Sequence, residues 1–162
     1  MFAIDVGGLE GLSARLGAYP AALSGALAAK VAELAEALAE RVRNDKLAGG
    51  VLNARTGALA ASIAAEVAFD GEAISATVGS FGDVKYAAIQ EAGGKTGAHE
   101  ILPVKAKALA FAVGGKLVFA RKVEHPGSAL PARSYLGSAL EEMSGEIVGS
   151  LTAVRVEAWE QV

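Results

Sequence analysis

Cysteine is missing from this 162-residue chain, and its absence excludes several kinds of chemistry. Without a thiol the protein cannot form disulfides, use a thiolate nucleophile or bind zinc through sulfur. Histidine is scarce: His99 and His125 are the two histidines, and they lie in separate predicted loops. Neither has a carboxylate at the i, i+4 spacing of a helical metal site. We therefore expect no metal and no cofactor.

Long apolar runs are missing as well. No stretch approaches the about 20 apolar residues that a membrane helix needs, and no basic segment followed by an apolar one opens the chain. The hydrophobic content of 52% is raised by alanine, while the large apolar side chains recur periodically. The length suits one domain, 1–162. We expect a soluble protein that is cytoplasmic when made.

Catalytic motifs are also lacking. His99 with Glu100, and His125 with Glu124, are adjacent pairs, and neighbouring residues in extended chain point to opposite faces, so neither forms a ready dyad. The glycine-rich stretch 93–97 contains Lys and Thr but lacks the spacing of a phosphate loop and does not open a helix. No serine stands in a Gly-x-Ser-x-Gly turn. We expect a protein that is not an enzyme.

Two apolar stripes at helical spacing predict the long elements. The first begins at Pro20 and ends at Gly49-Gly50, with 9–16 forming a short helix or the first turns of a longer one. The second covers 132–155, with Ser134 as a plausible N-cap and 156–162 as a tail. Alternating apolar residues predict a strand over 2–6.

Between the helices, 51–131 predicts a sheet with a short helix and loops. Alternation predicts one hairpin over 59–78, turning at Asp70-Gly71, and two strands joined at the turn signal Gly114-Gly115 predict a second over 108–123. A short helix over 86–92 ends at two glycines. Hairpins flanked by long helices are typical of an α+β fold, with a small antiparallel sheet packed against two long helices.

The stretch 85–136 contains three of the four prolines and most of the residues that a generic core would not require. Proline and glycine fix loops into definite shapes, and loops with a definite shape usually hold side chains in place for a contact. Residues 85–133 carry a net charge of +5, whereas 1–84 and 134–162 each carry −4. A basic centre between acidic ends suggests contacts between unlike surfaces, although exposed charge also serves solubility.

Several short motifs follow one another in this part of the chain. They are Arg55-Thr-Gly-Ala-Leu59, Ser62-Ile63, Tyr86-Ala-Ala-Ile-Gln-Glu-Ala-Gly-Gly94, Ile101-Leu-Pro103, Ala108-Leu-Ala-Phe111, His125-Pro-Gly127 and Pro131-Ala-Arg-Ser-Tyr-Leu136. In this order, over about 50–145, they resemble the head-tail joining proteins of long-tailed phages: the neck or tail-completion proteins, tail-terminator-like, of lambdoid siphophages and related prophages.

The chain departs from that pattern in two places. The last motif has Ser134-Tyr135 where the family is expected to have Pro-Phe, and the loop 93–100 is longer. The resemblance implies a structural virion protein that forms a ring, most readily a hexamer, at the head-tail junction or top of the tail. It implies that the ring joins tail to head, contacts stopper and tail-tube proteins, and leaves a lumen for DNA.

The shaped loops and the resemblance together define candidate assembly residues. These are Tyr86, Glu91, Gly93, Gly94, Lys95, Thr96, Pro126, Gly127, Arg133 and Tyr135.

A second interpretation is a DNA-contacting protein without sequence specificity. Lys105, Lys107, Lys116 and Lys122 fall on predicted strands over 105–122 with parities that let each pair share a face. No interleaved aromatic residues or recognised DNA-binding helix accompany them. The lysines could line a DNA lumen or bind acidic surfaces of neighbouring subunits, and the sequence leaves both open.

Overall fold

The structure is a computed structural model that describes residues 7–53 and 55–162; the strand predicted over 2–6 lies outside them. Two long helices and small two-stranded antiparallel sheets confirm the α+β class. The chain forms two compact units: unit 1 comprises Met1–Ala87 and Ser134–Val162, and unit 2 comprises Ala88–Arg133. The single-domain assignment stays a prediction.

Unit 1 contains the long helices. Helix α1 (Leu9–Arg41) continues into a π-helical turn (Val42–Lys46), and α2 (Ala58–Ser62) leads into a hairpin of β1 (Ile63–Phe69) and β2 (Ile74–Ser80). Helix α4 (Tyr135–Glu160) begins directly after Ser134, the residue predicted to cap it. It runs five residues beyond the predicted end at 155, so the residues assigned to a tail are largely helical.

Helix α1 does not begin at Pro20, as predicted, but at Leu9, and Pro20 lies inside it. Proline removes a helical hydrogen bond and usually breaks a helix. Here the turns that precede the proline pack on the end of α4: the Arg15 guanidinium donates to the Trp159 carbonyl at 2.9 Å and lies 4.5 Å from the centre of the Trp159 ring. The Tyr19 hydroxyl donates to the Arg155 carbonyl at 3.1 Å.

The core of unit 1 is where α1, its π-helical turn and α4 meet. Ala39 and Ala139 have no exposed surface, because their small side chains let the helices approach closely. Tyr135 and Val42 fill the space beside them, and burying a side chain of Val size contributes about 1.5–3 kcal/mol. These two alanines are thus packing residues.

The first predicted hairpin is confirmed, with a correction at its start. Strands β1 and β2 pair antiparallel from Ile63 opposite Ser80 to Phe69 opposite Ile74. The turn is fixed by Asp70, whose carboxylate accepts the backbone N–H groups of Glu72 and Ala73 and whose pKa these bonds lower. Residues 59–62 were predicted as strand but belong to α2, where the N–H of Ala61 bonds the carbonyl of Gly57.

The π-helical turn places the Lys46 side chain against α4. Its ammonium donates to the Glu142 carboxylate at 2.5 Å, and the lysine is 9% exposed. Arg41 lies 3.5 Å from the other oxygen of the same carboxylate. A nearly buried ammonium needs such a partner, because burying an unpaired charge is costly. The pair therefore fixes the end of the π-helical turn against α4.

Unit 2 has small ladders and no fully buried residue anywhere in 88–133. Helix α3 (Ala87–Ala92) is followed by β3 (Gly94–Lys95) and β4 (His99–Ile101), which pair with β8 (Ala129–Leu130) and β7 (Val123–His125) respectively. Strands β5 (Leu109–Val113) and β6 (Lys116–Ala120) form the second predicted hairpin, which is confirmed. The loop predicted over 93–100 and the loop predicted around His125 thus contain paired strands, and the second strand of the hairpin predicted over 108–123 is interrupted after Ala120.

The ion pair of unit 1 predicts a pH-dependent stability. The hydrogen bond from Lys46, followed by the attraction of Lys46 and Arg41, outweighs desolvation and lowers the pKa of Glu142. A lowered folded-state pKa contributes stability above the unfolded value of about 4.3, and this stability is lost as the pH falls through the folded value. Glu142→Gln should therefore unfold at a lower temperature than the wild type at pH 7, with the gap closing below pH 4.

Thermal unfolding of both proteins from pH 3 to pH 8 measures this gap. Glu141→Gln, one residue away and exposed, is the matched control and should follow the wild type. A gap for Glu142→Gln that stays constant down to pH 3 would contradict an ionic origin.

Candidate functional site

Six of the ten predicted assembly residues come together in unit 2, in the ladder that joins 94–101 to 123–130. Lys95 lies opposite Ala129 in the β3–β8 pair. The Thr96 N–H donates to the Ser128 carbonyl at 2.9 Å, and the Ser128 N–H donates to the Thr96 hydroxyl at 2.8 Å. This contact brings the Gly93–Thr96 group beside the Pro126-Gly127 turn, although about 30 residues separate them in sequence.

Glycine is required at both sides of this ladder. Gly93 has φ +70°, and a Cβ there would lie 2.6 Å from the backbone nitrogen of Ala132. Gly127 has φ +88°, and a Cβ there would overlap the carbonyl oxygen of Thr96. Positive φ disfavours every residue with a side chain, and the close backbone approach adds a clash. The two glycines are thus needed for strand pairing.

The β4–β7 pair brings together side chains that the sequence did not connect. His99 and His125 are directly opposite each other, and their rings stack with centroids 5.0 Å apart. The next pair is Glu100 opposite Glu124, and the Lys122 ammonium lies 2.5 Å from the first carboxylate and 3.6 Å from the second. Two like charges facing each other are unfavourable, and a lysine between them relieves the repulsion.

Each histidine is kept apart from its adjacent glutamate, as predicted, but the two histidines, predicted in separate loops, lie against each other. His99 and Glu100 are adjacent and so project from opposite faces of β4, as predicted. The Nδ1 of His125 accepts the Gly127 N–H at 3.0 Å, which fits that ring into the turn. Pairing across strands could not be read from sequence, because nothing in either segment fixes the register.

The other candidate assembly residues lie in different environments. The Tyr86 side chain is 45% exposed, Glu91 is half-buried and Arg133 is exposed. The Arg133 N–H donates to the Gln90 carbonyl at 2.8 Å, which ties the last predicted motif to α3. Tyr135 requires a correction: it is 1% exposed in the core of unit 1, where its hydroxyl donates to the Ala87 carbonyl. Its side chain is not accessible to a neighbouring subunit.

The four lysines do not form the predicted strand array. Lys105 and Lys107 lie in a bend between β4 and β5, so strand parity does not apply to them, and Lys122 lies between β6 and β7. Only Lys116 belongs to a strand. All four are exposed, but Lys122 is held by two carboxylates. The acidic helix residue Glu142 is engaged by Lys46 rather than by any of them.

The β5–β6 hairpin exposes large apolar side chains on both of its strands. The register places Phe111 opposite Val118 on one face, and Leu117 and Phe119 on the other. Leu117 is 66% exposed and Phe119 is 65% exposed. Both faces of this two-stranded sheet are therefore apolar and accessible. The turn signal Gly114-Gly115 predicted the hairpin. The run of residues that is apolar on both faces was the available sequence signal for an exposed apolar surface.

A second apolar surface lies in unit 1. A groove of about 460 Å³ runs between α1, β2 and α4. Its lining includes Leu34, Leu38, Val78, Leu140, Ile147 and Leu151.

The described residues meet the requirements neither of a metal site nor of a membrane-spanning helix. Within 7–53 and 55–162, no three His, Cys, Asp or Glu side chains come close enough to hold a metal ion. In the same part of the chain, no helix combines the length and the apolar character needed to cross a membrane.

Comparison with protein families, with curated proteins and with solved structures gave no match.

The glycine at the 125–127 turn gives a direct test of the ladder. Gly127→Ala should cost about 1–2 kcal/mol for the left-handed conformation and more for the clash with Thr96. Gly115→Ala is the matched control, because Gly115 has φ +80° but no atom within 4 Å of its Cβ position. Hydrogen exchange at the Thr96 amide should accelerate in Gly127→Ala and stay near wild type in Gly115→Ala. Equal exchange in the two variants would argue against the close approach.

Proposed function

We propose that this chain is a structural virion protein of a tailed phage or prophage, and that it is not an enzyme. It forms a ring of identical subunits, most readily six, at the head-tail junction or the top of the tail. The ring completes the tail, joins it to the head through stopper and tail-tube proteins, and leaves a lumen for DNA. The protein assembles in the host cytoplasm and ends in the virion.

The observation that carries the proposal is the absence of a fully buried residue in unit 2, 88–133, the part that contains most of the phage-like motifs. A segment with exposed apolar strands and no core of its own gains stability by burying surface against a partner. The resemblance to head-tail joining proteins supports a ring as the kind of assembly, since the motifs of that family occur in the same order in this chain.

Charge supports the same assembly. Unit 2 has seven Lys or Arg and three acids, a net of +4, whereas the rest of the chain has eight basic and fifteen acidic residues, a net of −7. Repeated subunits can place the basic unit of one copy beside acidic surface of the next, which steers encounter and fixes orientation. Unlike surfaces that meet in this head-to-tail way generate rings when the rotation closes.

Native mass spectrometry of the purified chain tests the ring, and Arg133 gives the matching variant. Its exposed guanidinium can clamp a carboxylate of a neighbour. We expect a closed oligomer for the wild type, and at least a tenfold loss of oligomer at equal concentration for Arg133→Ala. The unfolding temperature should change by less than about 2 °C, because an exposed side chain contributes little to the fold.

Arg121→Ala is the control, since Arg121 is also exposed in unit 2 but lies outside the phage-like motifs. A wild type that stays monomeric alone and in tail extracts would contradict the ring. If Arg133→Ala lost thermal stability while its folded fraction still assembled normally, the arginine would have a structural role instead.

A second candidate function is non-specific DNA contact. The exposed ammonium groups of Lys105, Lys107 and Lys116 favour it, because exposed cations bind phosphates without reading sequence. In a ring these lysines would line the lumen, and contact with passing DNA would be weak.

Lysine replacement separates the two interpretations of the basic residues. A triple variant tests this: Lys105→Gln, Lys107→Gln, Lys116→Gln. It should be retained less strongly on a DNA column. The slope of log binding constant against log salt concentration should also become shallower by about 0.9 for each phosphate contact that is lost. Lys122→Gln should have less effect, because Glu100 and Glu124 already neutralise that ammonium. Retention by the triple variant equal to wild type would remove the DNA interpretation, and loss of oligomer in that variant would assign the lysines to a protein interface.

A further inference from the structure

We propose that the β5–β6 hairpin of one copy of this chain docks in the apolar groove between α1, β2 and α4 of a second copy. The inference rests on the ring proposed above and deepens it by naming the two surfaces that meet. It commits to one occupant of the groove, which is residues 109–120 of another subunit.

The hairpin has the properties of a segment that is completed by a partner. Strands β5 and β6 pair with each other, and within the described residues no third strand extends their sheet. An isolated two-stranded hairpin is marginally stable in water. Here Leu117 and Phe119 project from one face and Phe111 and Val113 from the other, all of them at least about a third exposed. Covering one face removes the largest of these exposures from water.

The groove has the matching chemistry and size. Leucine, isoleucine and valine side chains of three elements line its 460 Å³. Leu140 on its rim is 51% exposed. An aromatic and an aliphatic side chain from the same strand face, such as Phe119 and Leu117, can enter a space of this volume. The walls offer apolar contact rather than the convergent polar groups of a small-molecule site.

Charge selects a second copy as the occupant. The parts of the chain that carry the two surfaces have opposite net charge: +4 in the unit that carries the hairpin and −7 in the rest of the chain, which carries the groove. Lys116 stands at the hairpin turn beside Leu117, while Glu141 follows Leu140 on α4. Because the two surfaces differ, each copy can offer its hairpin to one neighbour and its groove to another, as a closed ring requires.

The absence of cysteine permits a clean crosslinking test. Differently tagged Leu117→Cys and Leu140→Cys chains are co-expressed, and the assembled protein is oxidised with diamide. We expect a disulfide-linked heterodimer, formed at least tenfold more than in the control that pairs Leu117→Cys with Val148→Cys. Val148 is 66% exposed on α4 but does not line the groove.

The doubly substituted chain, Leu117→Cys with Leu140→Cys, distinguishes contact between copies from contact within one. A ladder of linked multimers up to the full oligomer supports the proposal. An internally crosslinked monomer, or crosslinking equal to the Val148 control, overturns it.

Charged substitutions on each surface give an independent measurement. Leu117→Glu and Leu140→Glu should each raise the dissociation constant of the oligomer at least tenfold, while Val148→Glu stays within about twofold of wild type. Circular dichroism checks that all three fold, as expected for residues that are at least half exposed.

The outcomes also separate this inference from the proposed function. An oligomer that forms without the Leu117–Leu140 crosslink overturns the hairpin contact and leaves the ring standing. A chain that is monomeric in native mass spectrometry overturns both.

Discussion

The contact between α1 and α4 through alanine is the constraint on which unit 1 depends. Ala39 and Ala139 have no exposed surface, so any larger side chain at either position would force the helices apart. Close approach in turn brings Lys46 within reach of Glu142 and seats Trp159 against Arg15. Helix α1, held by α4, then offers a support on which the β1–β2 hairpin packs.

Unit 2 is governed by a different constraint. It has no fully buried residue, and its strands are two to five residues long. Its shape is set by turn geometry and short ladders, in which Gly93 and Gly127 permit backbone approaches that no other residue allows. A segment built in this way has little apolar burial to resist opening. Such a design suits a contact element that is completed on assembly, which is the basis of the ring proposal.

At two residues long-range packing overrides what the local sequence pattern indicates. Pro20 was given the role of helix start because proline breaks helices, but the packing of Arg15 and Tyr19 on α4 outweighs that local cost. Tyr135 stood out as part of a phage-like motif and proved to be a core residue. In both cases a long-range contact that no window of sequence contains decided the outcome.

The sequence by itself determined the α+β class, the long helical segments, both hairpin turns and the glycine-rich C-terminal end of α3, because periodicity and turn chemistry act over a few residues. It also carries the ordered motifs on which the phage resemblance rests. The tertiary structure alone decided that 94–101 pairs with 123–130, that His99 stacks on His125, and that Lys122 bridges two glutamates. It alone showed the apolar hairpin and groove, because strand register and surface exposure depend on which distant segments meet.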